Sequence, residues 1–178
     1  MKAVIDTNVL LVANGRHEEA SEDCVIECVR RLQAMQRSGI VVIDDGHRIL
    51  GEYLHKTCLN PPTGVGDKFL KWLLQHADTA RVEQVSLNEV AADRFAEFPD
   101  AALEAAFDAP DRKFAAVAHA HADKPPIWQA VDCKWLDWWP AMQAKDVHIE
   151  FLCPADVRSF YRKKFPRKPV PAVPANPA

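Results

Sequence analysis

The chain has 178 residues, of which 48% are hydrophobic and 26% are charged, enough for one globular domain with a full core. No apolar run approaches the ~18 residues of a membrane span, and Met1 leads directly into an apolar run without a basic leader. We therefore expect a cytoplasmic protein with no membrane span and no signal peptide.

The formal net charge of −3 is unevenly distributed along the chain. Six basic residues and no acidic residue lie between Arg158 and Lys168, so the remainder holds 16 basic and 25 acidic residues, a charge of −9. Such an acidic body repels a nucleic acid unless cations intervene.

The five cysteines are odd in number and lack the spacing of zinc fingers; they are Cys24, Cys28, Cys58, Cys133 and Cys153. They favour reduced, mostly buried thiols over a disulfide framework. Zinc binding by Cys24 and Cys28, four residues apart on one face of a predicted helix, is the minor alternative.

Apolar runs alternate with helical patterns in the first half of the chain. The predicted elements are a strand at 2–5, a helix at 18–37, a strand at 40–44, a helix at 47–56, and a helix at 67–76 after a Pro- and Gly-rich loop. Apolar residues in the first long helix recur at spacings of three and four, and Gly39 ends that helix. The strand that follows is β-branched and ends in acidic residues.

The second half continues this alternation. Its predicted elements are a weaker strand at 81–87, helical stretches at 89–98 and 101–106, a helix at 111–122, a strand at 126–131, a helix at 135–144, a strand at 148–153 and a helix at 155–164. The domain then covers residues 1–165, and the proline-rich tail at 166–178 is predicted to be disordered. The alternation predicts a three-layer α/β/α sandwich with a mostly parallel sheet of about five strands.

Acidic residues follow the predicted strands where a parallel sheet binds its ligands. Asp6 follows the first strand and Asp132 follows the fourth, so both lie at one edge of the sheet if these strands are neighbours. Asp111 begins the helix before the fourth strand, and Glu52 lies on the helix after the second. Four converging carboxylates repel one another, which favours a divalent cation between them, and all-oxygen ligands favour Mg²⁺ or Mn²⁺.

The segments that carry these residues resemble the PIN domain, the metal-dependent nuclease fold of VapC-type toxins and many RNA-processing proteins. The matching segments, within residues 1–154, are VIDTNVLL, RILGEYLHK, DRKFAAVAHAH and AVDCKW. The resemblance implies that Asp6, Glu52, Asp111 and Asp132 form the catalytic, metal-binding site.

Three supporting residues are expected near this site. Asn8 matches a polar residue of the family and would orient the Asp6 carboxylate or a metal-bound water. Ala130 and Lys134 depart from the family, which often has Thr and a second Asp there, so metal affinity or substrate choice is expected to differ. Lys134 either contacts a substrate phosphate or pairs with Asp132. Asp108 either restores a carboxylate or caps the following helix.

The resemblance implies an endoribonuclease that uses Mg²⁺ or Mn²⁺ to activate water and leaves a 5′-phosphate and a 3′-hydroxyl on RNA. A compact single domain leans toward a toxin with an antitoxin partner over a stand-alone RNA-processing enzyme. Arg162, Lys163 and Lys164 either contact the RNA backbone or belong to an ordinary solvated terminus. The clustered tryptophans indicate core packing or a homodimer face more than base stacking; they are Trp128, Trp135, Trp138 and Trp139.

Each acidic residue also has an ordinary explanation. The three aspartates are suitable helix caps, and Glu52 suits a solvated helix surface. A PIN-like module that binds RNA or protein without cutting is the main alternative function, because the second Asp after the fourth strand is absent. A phosphohydrolase with Asp6 as nucleophile, as in haloacid-dehalogenase-like enzymes, is disfavoured because Asn8 stands where these enzymes need a second Asp.

Overall fold

The structure is a computed structural model that describes residues 1–174; the last four residues of the predicted disordered tail lie outside it. The strands are β1 (Lys2–Ile5), β2 (Ile40–Asp44), β3 (Val82–Val85), β4 (Glu89–Ala91), β5 (Arg94–Phe95), β6 (Ile127–Gln129) and β7 (Ile149–Phe151). The helices are α1 (Thr7–Ala13), α2 (Glu22–Ser38), α3 (Arg48–Lys56), α4 (Val65–Gln75), α5 (Ala101–Ala106), α6 (Arg112–Ala120), α7 (Trp135–Gln143) and α8 (Pro154–Lys164). A 3-10 turn, Ala109–Asp111, leads directly into α6.

Five strands form one sheet in the order β3-β2-β1-β6-β7, and every pairing in it is parallel. Helices flank this sheet, which confirms the predicted three-layer α/β/α sandwich. β1 is the central strand, and its Ile5 lies opposite Trp128 of β6. The first and fourth predicted strands are therefore neighbours, and their carboxyl ends meet at one edge of the sheet.

The core lies on both sides of the central strands. Ala3, Val4 and Ile5 of β1 are all fully buried, as expected for an apolar strand covered by helices on both faces. Trp128 and Trp135 are also buried, so neither is free to stack on a nucleic acid base.

The predicted helix at 89–98 is wrong, because this segment forms a short antiparallel hairpin of β4 and β5. Asp93 occupies the left-handed region at the turn, with φ of 52°. The buried Glu104 of α5 then accepts hydrogen bonds from the backbone N–H of Phe95 (2.8 Å) and from Arg94 Nε (3.2 Å). These tertiary contacts override the local helical pattern.

The expectation of reduced cysteines is also wrong for two of them, because Cys24 of α2 and Cys153 before α8 form a disulfide. Cys28 is a buried free thiol whose Sγ lies 3.9 Å from Sγ of Cys153. The bond joins residues 129 positions apart, so no local spacing signals it. Because Cys24 is bonded to Cys153, the structure does not support zinc binding by Cys24 and Cys28.

Residues 166–174 of the predicted tail lie along the domain. Trp139 Nε1 donates a hydrogen bond to the Ala172 carbonyl (2.9 Å), and Val170 and Val173 pack against the core. Disorder of the tail stays a prediction. No helix among residues 1–174 combines the length and apolar character needed to cross a membrane.

Candidate acidic active site

Asp6 lies where the carboxyl ends of β1 and β6 run side by side. Its backbone N–H donates to the Trp128 carbonyl (3.0 Å), which fixes the residue at the end of the sheet pairing. Its side chain is the N-cap of α1, because Oδ1 accepts a hydrogen bond from the backbone N–H of Asn8 (2.9 Å). The residue is only 5% exposed, which is unusual for a carboxylate without a cation partner.

Asp132 reaches the same edge from the segment after β6. Its Oδ1 accepts a hydrogen bond from the backbone N–H of Lys134 (3.0 Å). Asn8 holds this segment against α1, because its side chain accepts from the Ala130 N–H (2.9 Å) and donates to Gln129 Oε1. Asn8 thus contacts Asp6 through its backbone, while its side chain positions the segment that carries Asp132.

Asp111 ends the 3-10 turn at the start of α6, which packs on β1 and β2. The turn begins after Asp108, and Pro110 lies within it, as is common in the first turn of a helix. Neither Asp108 nor Asp111 makes a side-chain capping hydrogen bond. The cap explanation of Asp111 is therefore not supported, and its carboxylate is available for another contact.

Glu52 of α3 faces the same region but is already engaged. Thr7 Oγ1 donates to its Oε1 (2.6 Å), and Lys113 Nζ forms an ion pair with its Oε2 (2.5 Å). Its neighbour Tyr53 donates a hydrogen bond to the Ile5 carbonyl, which ties α3 to β1. Asp44, at the end of β2, has a different role, because its carboxylate accepts hydrogen bonds from two backbone N–H groups at the start of α3.

Burial raises the pKa values of the three aspartates, and neighbouring carboxylates add to this effect. Burial contributes most for Asp6, whose pKa lies well above the ordinary value, and the Asp111 charge adds to it. Burial and then the Asp132 charge raise the pKa of Asp111 to about 7. Burial also raises the pKa of Asp132, against the lowering effects of its hydrogen bond from Lys134 and of the Lys164 and Lys134 charges. None of the three forms an ion pair within residues 1–174, and each therefore lies in an environment that favours a cation or a proton.

The donor set fits a hard cation, because it consists of carboxylate oxygens alone. The carboxylate oxygens of the three aspartates are, however, too far apart to contact one ion together. In the described part of the chain, Glu83, His121 and Asp123 offer three ligand atoms that lie within 4.8 Å of one another, whereas the three aspartates do not form such a group. An ion held by the three aspartates would therefore require side-chain rotations that bring their oxygens together.

Lysines surround the acidic residues. Asp6, Glu52 and Asp132 line a cleft of about 380 Å³ together with Lys134 and Lys164, while Asp111 is not among its lining residues. A neighbouring cleft of about 400 Å³ shares four lining residues with the first, namely His17, Val131, Asp132 and Lys164. Lys163 and Phe160 line only this second cleft. Thus two of the three predicted RNA-binding residues lie beside the site, whereas Arg162 lines neither cleft.

Lys134 and Asp108 pair with each other. Lys134 thus lines the same cleft as Asp132, but its side-chain partner is Asp108 and its link to Asp132 is through the backbone. Sequence reasoning missed Thr7 and Lys113 as parts of the site. Lys113 follows Arg112 at the polar start of α6, so no pattern in the sequence distinguishes it from a solvated lysine.

Comparison of the chain with protein-family models, curated proteins and solved structures gives no match. The resemblance to the PIN domain therefore depends on the residues and on their places in the fold.

Proposed function

We propose that this protein is a metal-dependent endoribonuclease of the PIN type. The observation that carries the proposal is the position of Asp6, Asp111 and Asp132. The three come from separate segments, interact electrostatically beside the carboxyl ends of two central strands, and have raised pKa values without an ion pair. Ligands of parallel α/β sheets bind at this edge, and a divalent cation would relieve the repulsion.

In this proposal the three aspartates hold Mg²⁺ or Mn²⁺. The bound ion would supply a Lewis acid for the phosphate and lower the pKa of a water molecule. Asn8 fixes the distance between the Asp6 and Asp132 segments through its two side-chain hydrogen bonds. Lys164, which lines both clefts, is placed to contact a phosphate next to the scissile one.

Cleavage of a labelled single-stranded RNA tests the proposal. We expect cutting with Mg²⁺ or Mn²⁺ and none in EDTA, with a 5′-phosphate on the product, because clustered carboxylates repel a phosphate without a cation. Undiminished cutting in EDTA, or no cutting and no Mn²⁺ binding, would contradict it.

Substrate contact by Lys164 has its own test. Lys164→Ala should weaken RNA binding and reduce the slope of log K against log salt by roughly one, because one phosphate contact is lost. Lys71→Ala is the matched control, since Lys71 is an exposed lysine of α4 that lines neither of these clefts. Equal effects of the two substitutions on RNA binding would show that Lys164 makes no specific contact with the RNA.

A module that binds RNA or a protein without cutting is the second candidate. The ion pair between Lys113 and Glu52 favours it, because one of the four expected carboxylates is already neutralised. Retained RNA binding without cutting at saturating Mn²⁺ would support this alternative. A toxin role with an antitoxin, a cytoplasmic location and a homodimer face near Trp138 and Trp139 are further proposals from the sequence.

A further inference from the structure

Lys113 is a buried cation inside the acidic site. The residue is 8% exposed, and its Nζ contacts two oxygens, Glu52 Oε2 and the Pro110 carbonyl. Nζ also lies 4.7 Å from the ring centroid of the adjacent Phe114. An ammonium group removed from water is stable only with such partners, so the fold fixes this charge in place.

Both carboxylate oxygens of Glu52 already have a partner. One carboxylate oxygen accepts from Thr7 Oγ1 and the other from Lys113 Nζ. A metal ion that used Glu52 as a ligand would compete with Lys113 for the negative charge of Glu52, and an ammonium that lost this partner would be left unpaired in a largely buried position. Removing one partner of such a pair is unfavourable, because the remaining charge is left without compensation away from water. Glu52 is therefore a poor metal ligand in this chain.

The charges of the site divide into paired and unpaired carboxylates. Glu52 pairs with Lys113, and Asp108 pairs with Lys134. Asp6, Asp111 and Asp132 form no ion pair with any residue that the structure describes, and these three have the raised pKa values described above. Their combined charge of −3 suits one divalent ion, whereas two divalent ions would leave a net positive site before any substrate binds.

We propose that Lys113 is a fixed cation in place of a second metal ion, so that the site binds one divalent ion through the three aspartates and Glu52 acts as the anchor of Lys113. This inference rests on the proposed function for the identity of the ion. Lys113 is thus a positioning residue: it acts on the site through Glu52 and through the charge it supplies.

Counting bound Mn²⁺ on the metal-free full chain, by calorimetry and by electron paramagnetic resonance of free Mn²⁺, tests the inference without an activity assay. We expect one ion per chain for the wild type and two for Lys113→Gln. Glutamine keeps a donor for the Pro110 carbonyl but removes the charge from Glu52. Lys145→Gln, which removes a lysine charge from the exposed Asp100 pair outside both clefts, is the control and should still bind one ion.

The double variant Glu52→Gln with Lys113→Gln provides a second measurement that does not depend on the folding of the single variant. Both charges are removed together, so no buried charge is left unpaired. We expect one bound Mn²⁺ with an affinity within about threefold of the wild type. A loss of affinity beyond about tenfold would identify Glu52 as a ligand or its direct support and overturn the inference.

The possible failures are distinguishable. A wild type that binds no Mn²⁺ at all contradicts the proposed function, and this inference with it. A wild type that binds two ions, or a folded Lys113→Gln chain that still binds one, overturns the role of Lys113 and leaves the proposed nuclease intact.

Discussion

Asp6 has two roles that the sequence presented as alternatives. Its carboxylate is the N-cap of α1 and also a buried member of the acidic site. Asp44, at the end of the neighbouring strand β2, differs in this respect. It accepts hydrogen bonds from the backbone N–H groups of Arg48 (2.8 Å) and Ile49 (2.9 Å), and its Oδ2 lies 3.4 Å from Arg48 Nη1. Both residues lie at the carboxyl end of a parallel strand. Asp44 forms an ion pair with Arg48, whereas Asp6 forms none with the residues that the structure describes.

This difference predicts opposite effects of the same substitution. Asp6→Asn should abolish metal-dependent RNA cleavage and leave the Tm equal or higher, because Asn caps a helix about as well as Asp and the buried charge is removed. Thermal melting in EDTA and a cleavage assay with Mn²⁺ measure both effects. A large loss of Tm would show that the Asp6 carboxylate is needed for folding.

Asp44→Asn is the matched control. It should lower the free energy of unfolding by about 1–3 kcal/mol, because two backbone N–H groups and Arg48 lose a charged acceptor, while cleavage by the folded fraction continues. Loss of cleavage at a temperature where this variant is fully folded would extend the active site to Asp44.

The position of a single residue could be predicted from the sequence only where the residue directly follows a predicted strand. Asp6 and Asp132 follow parallel strands, so the strand pattern alone predicts which edge they share. The pair of Lys113 with Glu52 spans 61 positions and depends on how α3 packs near α6, which no local pattern records. The disulfide is a similar case, since its two cysteines belong to distant segments.

At the scale of elements, the five strands of the sheet and most helices around them follow apolar periodicity, and their predicted ends differ from the observed ones by a few residues. Helix α1 is the exception, because no element is predicted between residues 6 and 17. The segment at 89–98 fails because a short hairpin is stabilised from outside. Its strands are two and three residues long, too short to be stable alone. The buried carboxylate of Glu104 supplies the missing stabilisation through its contacts with Arg94 and Phe95.

Glu104 should therefore control the stability of this hairpin. Glu104→Ala is expected to lower the free energy of unfolding by about 2–3 kcal/mol, because the buried N–H of Phe95 loses its acceptor. Glu104→Gln, which keeps an acceptor oxygen, should cost clearly less. Chemical denaturation of both variants measures the difference, and Mn²⁺ binding should be unchanged in both. Equal losses would show that the packing of the side chain, and not its hydrogen bond, holds the hairpin.

At the scale of the whole molecule, the sheet order brings the acidic residues to one edge, and α8 brings basic residues to the same place. Lys163 and Lys164 end α8, and both line the cleft beside Asp132. The charge asymmetry that the sequence shows along the chain therefore becomes an arrangement in space, with lysines around a negative centre. Such an arrangement can attract a polyanion to a site whose own carboxylates would repel it.

The raised pKa values of the buried aspartates also predict how the stability of the metal-free protein depends on pH. The folded state raises the pKa of Asp111 from its ordinary value of 3.8 to about 7, and it raises the pKa of Asp6 in the same direction. Between these values the folded state binds more protons than the unfolded state, so the free energy of unfolding falls as pH rises through this window. In EDTA we therefore expect the Tm to be higher near about pH 5.5 than near about pH 8.

Asp111→Asn isolates this effect from the other titrating groups of the chain. The variant should show a smaller fall in Tm over the same pH range, because it lacks the carboxyl that takes up a proton only in the folded state. Mn²⁺ added near about pH 8 should raise the Tm of the wild type, since an ion then replaces the protons among the aspartates, and it should raise that of Asp111→Asn less. If the wild type and the variant had the same pH dependence in EDTA, Asp111 would not titrate within the cluster. The electrostatic argument for a cation site at the edge of β1 and β6 would then fail with it.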